Sequence, residues 1–214
     1  MARWLQIAGL AIGLAALILQ FAITMPASMA AGRSFFGSVV FYFSFFTILT
    51  NIGAVLVHLA SLRGAGTGLL GRFSSARMRG GVAAAIAMVM IVYVTVLAPL
   101  WQPEGLFLVC DVLLHYVTPV IYLLWWLTAG ADGSTRWADI GYWVAYPVIY
   151  LVYALARAPI AGEVPYPFLD IAANGVAGVA RSALAMTILF LVLCVAVIVA
   201  DRSISSLRRA ARPN

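Results

Sequence analysis

The sequence predicts an all-α integral membrane bundle of six transmembrane helices, on three observations. The 214-residue chain is 64% hydrophobic, only 9% charged and has a mean hydropathy of +1.05, too little polar surface to cover a soluble globule. Its apolar residues fall into six blocks. Each is long enough for a hydrocarbon core of roughly 30 Å, which takes about 20 helical residues. The connections between blocks are short, and none could hold a core of its own, so residues 1–214 form one domain.

The first block, about 4–25, ends before the breaker Pro26. It follows a single early arginine as a signal peptide would, but it is too long for a secretory h-region of about 7–15 residues and is expected to be retained. Its Gly9 and Gly13 form a GxxxG, expected to allow close helix packing. The second block, about 37–60, reads as one helix and leads into a loop with Arg63, Arg72, Arg77 and Arg79. The third, about 81–100, stops at Pro99 and Trp101. The fourth, about 106–128, ends in a Trp-Trp interfacial signal. The fifth spans about 137–157 and is followed by a proline-rich loop. The sixth, about 179–200, runs into a basic tail.

The net charge is +6 and every basic residue is arginine. Placing the arginine-rich connections on the cytoplasmic side leaves Arg33, Arg157 and Arg181 outside and puts both termini in the cytoplasm. This charge reads as topology and lipid-headgroup attraction, not a nucleic-acid footprint, because no basic run is interleaved with aromatics. A plasma membrane of bacterial type, its inner membrane, is the expected location. Cys110 and Cys194 lie inside apolar runs and read as packing residues rather than a disulfide or metal site.

Polar residues inside these blocks are costly unless turned inward. In the second block Ser44, Thr47, Asn51 and His58 share one helical stripe, with Thr50 beside it. In the fourth, Asp111, His115, Thr118 and Tyr122 share another. Both blocks start from the outer side, and at about 1.5 Å per residue Thr47 and His115 lie roughly 15 and 13 Å deep. They sit level. His58 is near 30 Å on the same count, at the inner interface, too far from His115 to share a haem iron. The thiols and imidazoles do not have zinc-ligand spacing either, so no metal and no cofactor is expected. Asp111, one turn before His115, either orients it as a base or forms a buried structural pair with it. A neutral imidazole could activate the Thr47 hydroxyl, and the Asn51 amide could donate to an oxyanion. Tyr142, Tyr146, Tyr150, Tyr153 and Arg157 form a third stripe, either packing or the wall of a cavity open to the outer side.

Three segments carry a resemblance: FFTILTN at 45–51, LLHYVTP at 113–119, and YPVIYLVYALAR with PYPFLD at 146–157 and 165–170. They are similar to the androgen-induced and ADTRP-like membrane proteins and their bacterial six-transmembrane relatives. The resemblance covers most of the chain from about Phe41 to Asp170. It implies an intramembrane hydrolase of lipid esters, in animals fatty acid esters of hydroxy fatty acids, with a threonine nucleophile on an early helix and a histidine on a central one. By motif those roles fall on Thr47 and His115; Asn51 and Asp111 rest on spacing alone. The expected partners are membrane lipids and a lipid-like ester. A rival from another class is a non-enzymatic lipid or small-molecule carrier in which Asp111, His115 and Arg157 form a proton-responsive site. A third is an assembly subunit whose polar core is only structural.

Overall fold

The structure, a computed structural model, describes residues 2–64 and 68–211. Nine α-helices are present among them: α1 (Ala2–Ala30), α2 (Phe35–Phe43), α3 (Phe46–Arg63), α4 (Leu69–Phe73), α5 (Ala76–Val92), α6 (Gly105–Val112), α7 (Thr118–Trp125), α8 (Asp139–Ala161) and α9 (Ile171–Ala210). Short π-helical and 3-10 turns extend α5 to Leu100, join α6 to α7 and carry α7 to Gly130. Six of the resulting rods are long and apolar enough to cross a membrane: 2–30, 46–63, 76–100, 105–130, 139–161 and 171–210. Their outward faces carry large apolar side chains such as Val120, Leu124, Ile149 and Leu184, all exposed. The architecture is compatible with an integral membrane protein.

Three boundaries differ from the sequence reading. α1 runs through Pro26 to Ala30. A proline deletes one backbone bond, but neighbouring helices can hold the turn beyond it, and here Met25 and Ser28 are buried on either side of it. The expected single helix over 37–60 is instead two, α2 and α3, broken at Ser44 and Phe45. The last rod is longer than expected because Asp170 caps its start, accepting from the Ala172 and Ala173 amides. Gly175, at φ 67° and ψ 166°, then bends it, a conformation that favours glycine.

α5 is the central post. Ala83, Ala84, Ala85 and Ile86 are almost fully buried, and α3, α7 and α9 pack around it. The GxxxG of α1 lies directly on α3: a Cβ at Gly9 would stand 2.3 Å from His58 Nε2, and one at Gly13 2.9 Å from Val55. His58 is therefore a packing residue, 1% exposed and wedged between Gly9, Tyr122 and Trp125.

The arginine-rich end is tied by carbonyls and three carboxylates, of which Asp139 pairs with Arg77 and Asp132 with Arg79. The last turns of a helix leave carbonyls without donors. Arg79 donates to Gly130 O, and Arg208 donates to Leu127, Thr128 and Ala131 O. Asp201 on α9 accepts from the Asp132, Gly133 and Thr135 amides and from the Thr135 hydroxyl, at 2.6–3.0 Å. Asp201→Ala would strand these donors in a buried setting and is expected to cost about 2–4 kcal/mol, read as a lowered thermal midpoint of the detergent-purified protein. An unchanged midpoint would show that the 132–135 turn is not held this way.

Candidate active site

The break between α2 and α3 occurs without glycine or proline, so its exposed backbone groups must find partners elsewhere. Two tyrosines and one serine provide them, and two further tyrosines meet side-chain hydroxyls beside the break. The Ser44 hydroxyl donates to Val40 O at 2.5 Å, closing α2, and accepts from Tyr153 OH at 3.1 Å. Phe45 is extended at φ −92°, ψ 128°. This turns the Ser44 carbonyl out of the helix, where Tyr150 OH donates to it at 2.9 Å. On the other side of the break the Thr47 amide, in the first turn of α3, donates to Tyr166 OH at 3.3 Å. Tyr146 OH meets Thr50 Oγ1 at 2.9 Å one turn further on. The tyrosine stripe of α8 thus makes a helix end possible in the middle of an apolar bundle, and that end carries Thr47.

His115 is set by a second irregularity. Pro119 has no N–H, and the preceding turn, Leu113–Val117, is π-helical, with the Thr118 amide bonded to Leu113 O. The Leu114 carbonyl would look for its donor at position 119 and finds none. Asn51 Nδ2 fills the gap at 3.1 Å and also donates to Thr47 O at 2.9 Å, while Asn51 Oδ1 accepts from Thr118 Oγ1 at 2.5 Å. The same device recurs in the rod of α5, where a π-helical turn, Tyr93–Leu97, precedes Pro99. It presents Tyr93 to His115. Their rings stack at 3.8 Å and 10°, and Tyr93 OH donates to Asp111 Oδ2 at 2.5 Å.

The result is a chain of contacts. Thr47 Oγ1 lies 3.4 Å from His115 Nε2, and His115 Nδ1 lies 3.1 Å from the Asp111 carbonyl and 3.2 Å from Asp111 Oδ1. These acceptors assign the proton to Nδ1 and leave the Nε2 lone pair facing the threonine hydroxyl. Asp111 and Thr47 are each 8% exposed. Tyr166 OH is 3.5 Å from Thr47 Oγ1. Because it accepts from the Thr47 amide, its own proton is directed elsewhere.

Two cavities meet at Thr47. The larger, about 540 Å³, is lined by Thr47, Asp111, His115, Tyr93 and Tyr166 with Gln20, Thr24, Ser28 and Arg33. The smaller, about 100 Å³, lies between α5, α8 and α9 and shares Thr47, Leu97 and Tyr166 with it. Near the larger cavity Arg33 and Arg157 both bind Glu163, tying the 31–34 connection to the end of α8.

Several expected residues play other parts. Asn51 has both amide hydrogens committed to the Thr47 and Leu114 carbonyls, so it clamps α3 to the π turn rather than donating to an oxyanion. Tyr122 is fully buried, donating to Arg79 O at 2.9 Å far from the cavity, and Thr118 belongs to the Asn51 clamp. Ser44, Thr50, Tyr146, Tyr153 and Arg157 back the cavity wall without lining it, and Tyr150 reaches only the smaller cavity. Tyr142 is 60% exposed beneath Arg77. Tyr93, Tyr166, Arg33 and Glu163 were not anticipated. Tyr93 and Thr95 are the only polar side chains in 82–100, and the polar-inward rule applied there would have found Tyr93.

The chain matches no protein-family model, no curated protein and no solved structure.

Burial works to raise the Glu163 pKa, but hydrogen bonds from Arg33 and Arg157 outweigh it and hold the carboxyl below its ordinary 4.5. A depressed carboxylate pKa contributes stability that is present above the unfolded value and lost as pH falls through the folded one. Glu163→Gln is therefore expected to melt below the wild type at neutral pH, with the gap closing as pH drops below 4.5. A gap that persists in acid would contradict the pairing.

Proposed function

We propose that this protein is an intramembrane hydrolase of lipid esters with Thr47 as nucleophile and His115 as base. The observation that carries the proposal is the Thr47–His115–Asp111 contact chain on the wall of a large cavity. His115 takes the Thr47 proton at Nε2 as Oγ1 attacks the ester carbonyl, and Asp111 Oδ1 steadies the imidazolium from Nδ1. Tyr166 OH, beside the attacked carbon, donates to the developing oxyanion. When the bond to the alcohol oxygen breaks, His115 returns the proton to that oxygen, leaving an acyl-threonine. Water then attacks the acyl carbon and gives its proton to His115. The bond to Thr47 breaks, the carboxylic acid leaves, and the proton goes back to the threonine.

The motifs shared with the androgen-induced and ADTRP-like proteins support the same pair and suggest fatty acid esters of hydroxy fatty acids as substrates. We also assign this chain to the bacterial branch of that family. Both termini then face the cytoplasm of the bacterial inner membrane, and the cavity opens towards the outer leaflet, where lipid substrate enters.

In a fluorophosphonate labelling assay the wild type is expected to be labelled and Thr47→Ala not at all. Thr47→Ala and His115→Ala are each expected to lower kcat on lipid esters by about a thousandfold or more. Labelling that survives in Thr47→Ala would overturn the nucleophile. Wild-type binding of lipid with no turnover would favour the carrier reading.

A further inference from the structure

We infer that the smaller cavity is the acyl-chain subsite and that the larger one receives the alcohol part of the ester. This rests on the hydrolase reading, and its reasoning is stereochemical. The tetrahedral intermediate on Thr47 has three other substituents: the oxyanion, the alkoxy oxygen and the acyl chain. The alkoxy oxygen must lie towards His115, because only that imidazole can protonate it, and His115 and Asp111 line the larger cavity alone. The oxyanion lies towards Tyr166 OH. The chain is left with the remaining direction, past Thr47 into the space that Thr47 and Tyr166 also line.

The chemistry of the two walls agrees. Around the smaller cavity stand Val89, Val92, Ala183, Met186 and Phe190. Beyond Thr47 and Tyr166, which it shares with the larger cavity, its polar side chains are already engaged: Thr187 donates to Ala183 O at 2.8 Å, and Tyr150 OH donates to Ser44 O. Such a wall has nothing to give a polar ligand and suits a methylene chain. Val148 on α8 and Thr187 on α9, both on its lining, are also exposed on the outer face of the bundle. The larger cavity instead has Gln20, Thr24, Ser28, Arg33, Asp111 and His115 on its lining, polar and charged side chains that suit an oxygen-bearing alcohol part.

The test uses the full-length protein and two ester series: acetyl, butyryl, octanoyl and palmitoyl esters of one fluorogenic alcohol, and acetates of alcohols of increasing length. Ala183→Phe should fill the smaller cavity. It is expected to lower kcat/KM on the palmitoyl and octanoyl esters about tenfold or more while sparing the acetyl ester and the whole alcohol series. Met186→Ala, which enlarges the same space, should raise the relative rate on branched acyl esters. An unchanged acyl profile in both variants, a shift in the alcohol series instead, or an equal loss on every ester in both would overturn the assignment. If Thr47→Ala keeps the wild-type rate, or the wild type hydrolyses none of these esters, the nucleophile reading fails and the subsite fails with it. If Thr47→Ala is inactive and the filled and enlarged variants show wild-type profiles, only the subsite fails.

Discussion

An unpaired backbone group in an apolar interior costs several kcal/mol, and the interruption between α2 and α3 exposes such groups at depth. The structure depends on how that cost is met. Tyr150 takes the Ser44 carbonyl, Tyr153 the Ser44 hydroxyl and Tyr166 the Thr47 amide. Each such bond contributes about 1 kcal/mol net, but leaving its partner bare would cost more. The interruption is thus held open by phenols from α8 and from the 162–170 connection. A continuous helix would have bonded the Thr47 amide to its own preceding turn. Instead the threonine stands at a helix start, with its hydroxyl beside an imidazole and its amide turned to a phenol.

The imidazole side is fixed by a comparable substitution of side chain for backbone. Pro119 withholds a donor, Asn51 supplies it, and the same asparagine holds the Thr47 carbonyl. One amide therefore couples the register of α3 to that of the π turn, so that Thr47 and His115 cannot drift independently. Tyr93 covers the imidazole face and binds the far oxygen of Asp111, which leaves the carboxylate partnered on both oxygens.

Much of this was legible in the sequence, and for a physical reason. Hydropathy marks spans because the bilayer penalises exposed backbone and charge, so the six rods were readable, as was the inward stripe of Thr47 and Asn51. Equal depth brought Thr47 and His115 together by counting residues alone. The interruption at Ser44 and Phe45 was hidden because its cause lies a hundred residues away, in tyrosines that look like ordinary packing until the carbonyl they serve is visible. Asn51 was given a chemical part because spacing shows where a side chain sits and not what has already engaged it. Tyr166 stood within PYPFLD, the most distinctive segment, yet nothing local says that its hydroxyl returns to α3. Pro26 reads as the end of the first block and 157 as the end of the fifth, but within α1 and α8 Pro26 and Pro159 interrupt single bonds in helices that neighbours hold.

The central claim is that Thr47 and His115 share a proton, and a thiol at position 47 reports on it directly. In a Thr47→Cys protein whose Cys110 and Cys194 are replaced by alanine, the alkylation rate against pH gives the thiol pKa. Proton sharing predicts that this value rises by about one unit or more when His115→Ala is added. A thiol that titrates at the same pH with and without the imidazole would contradict the account.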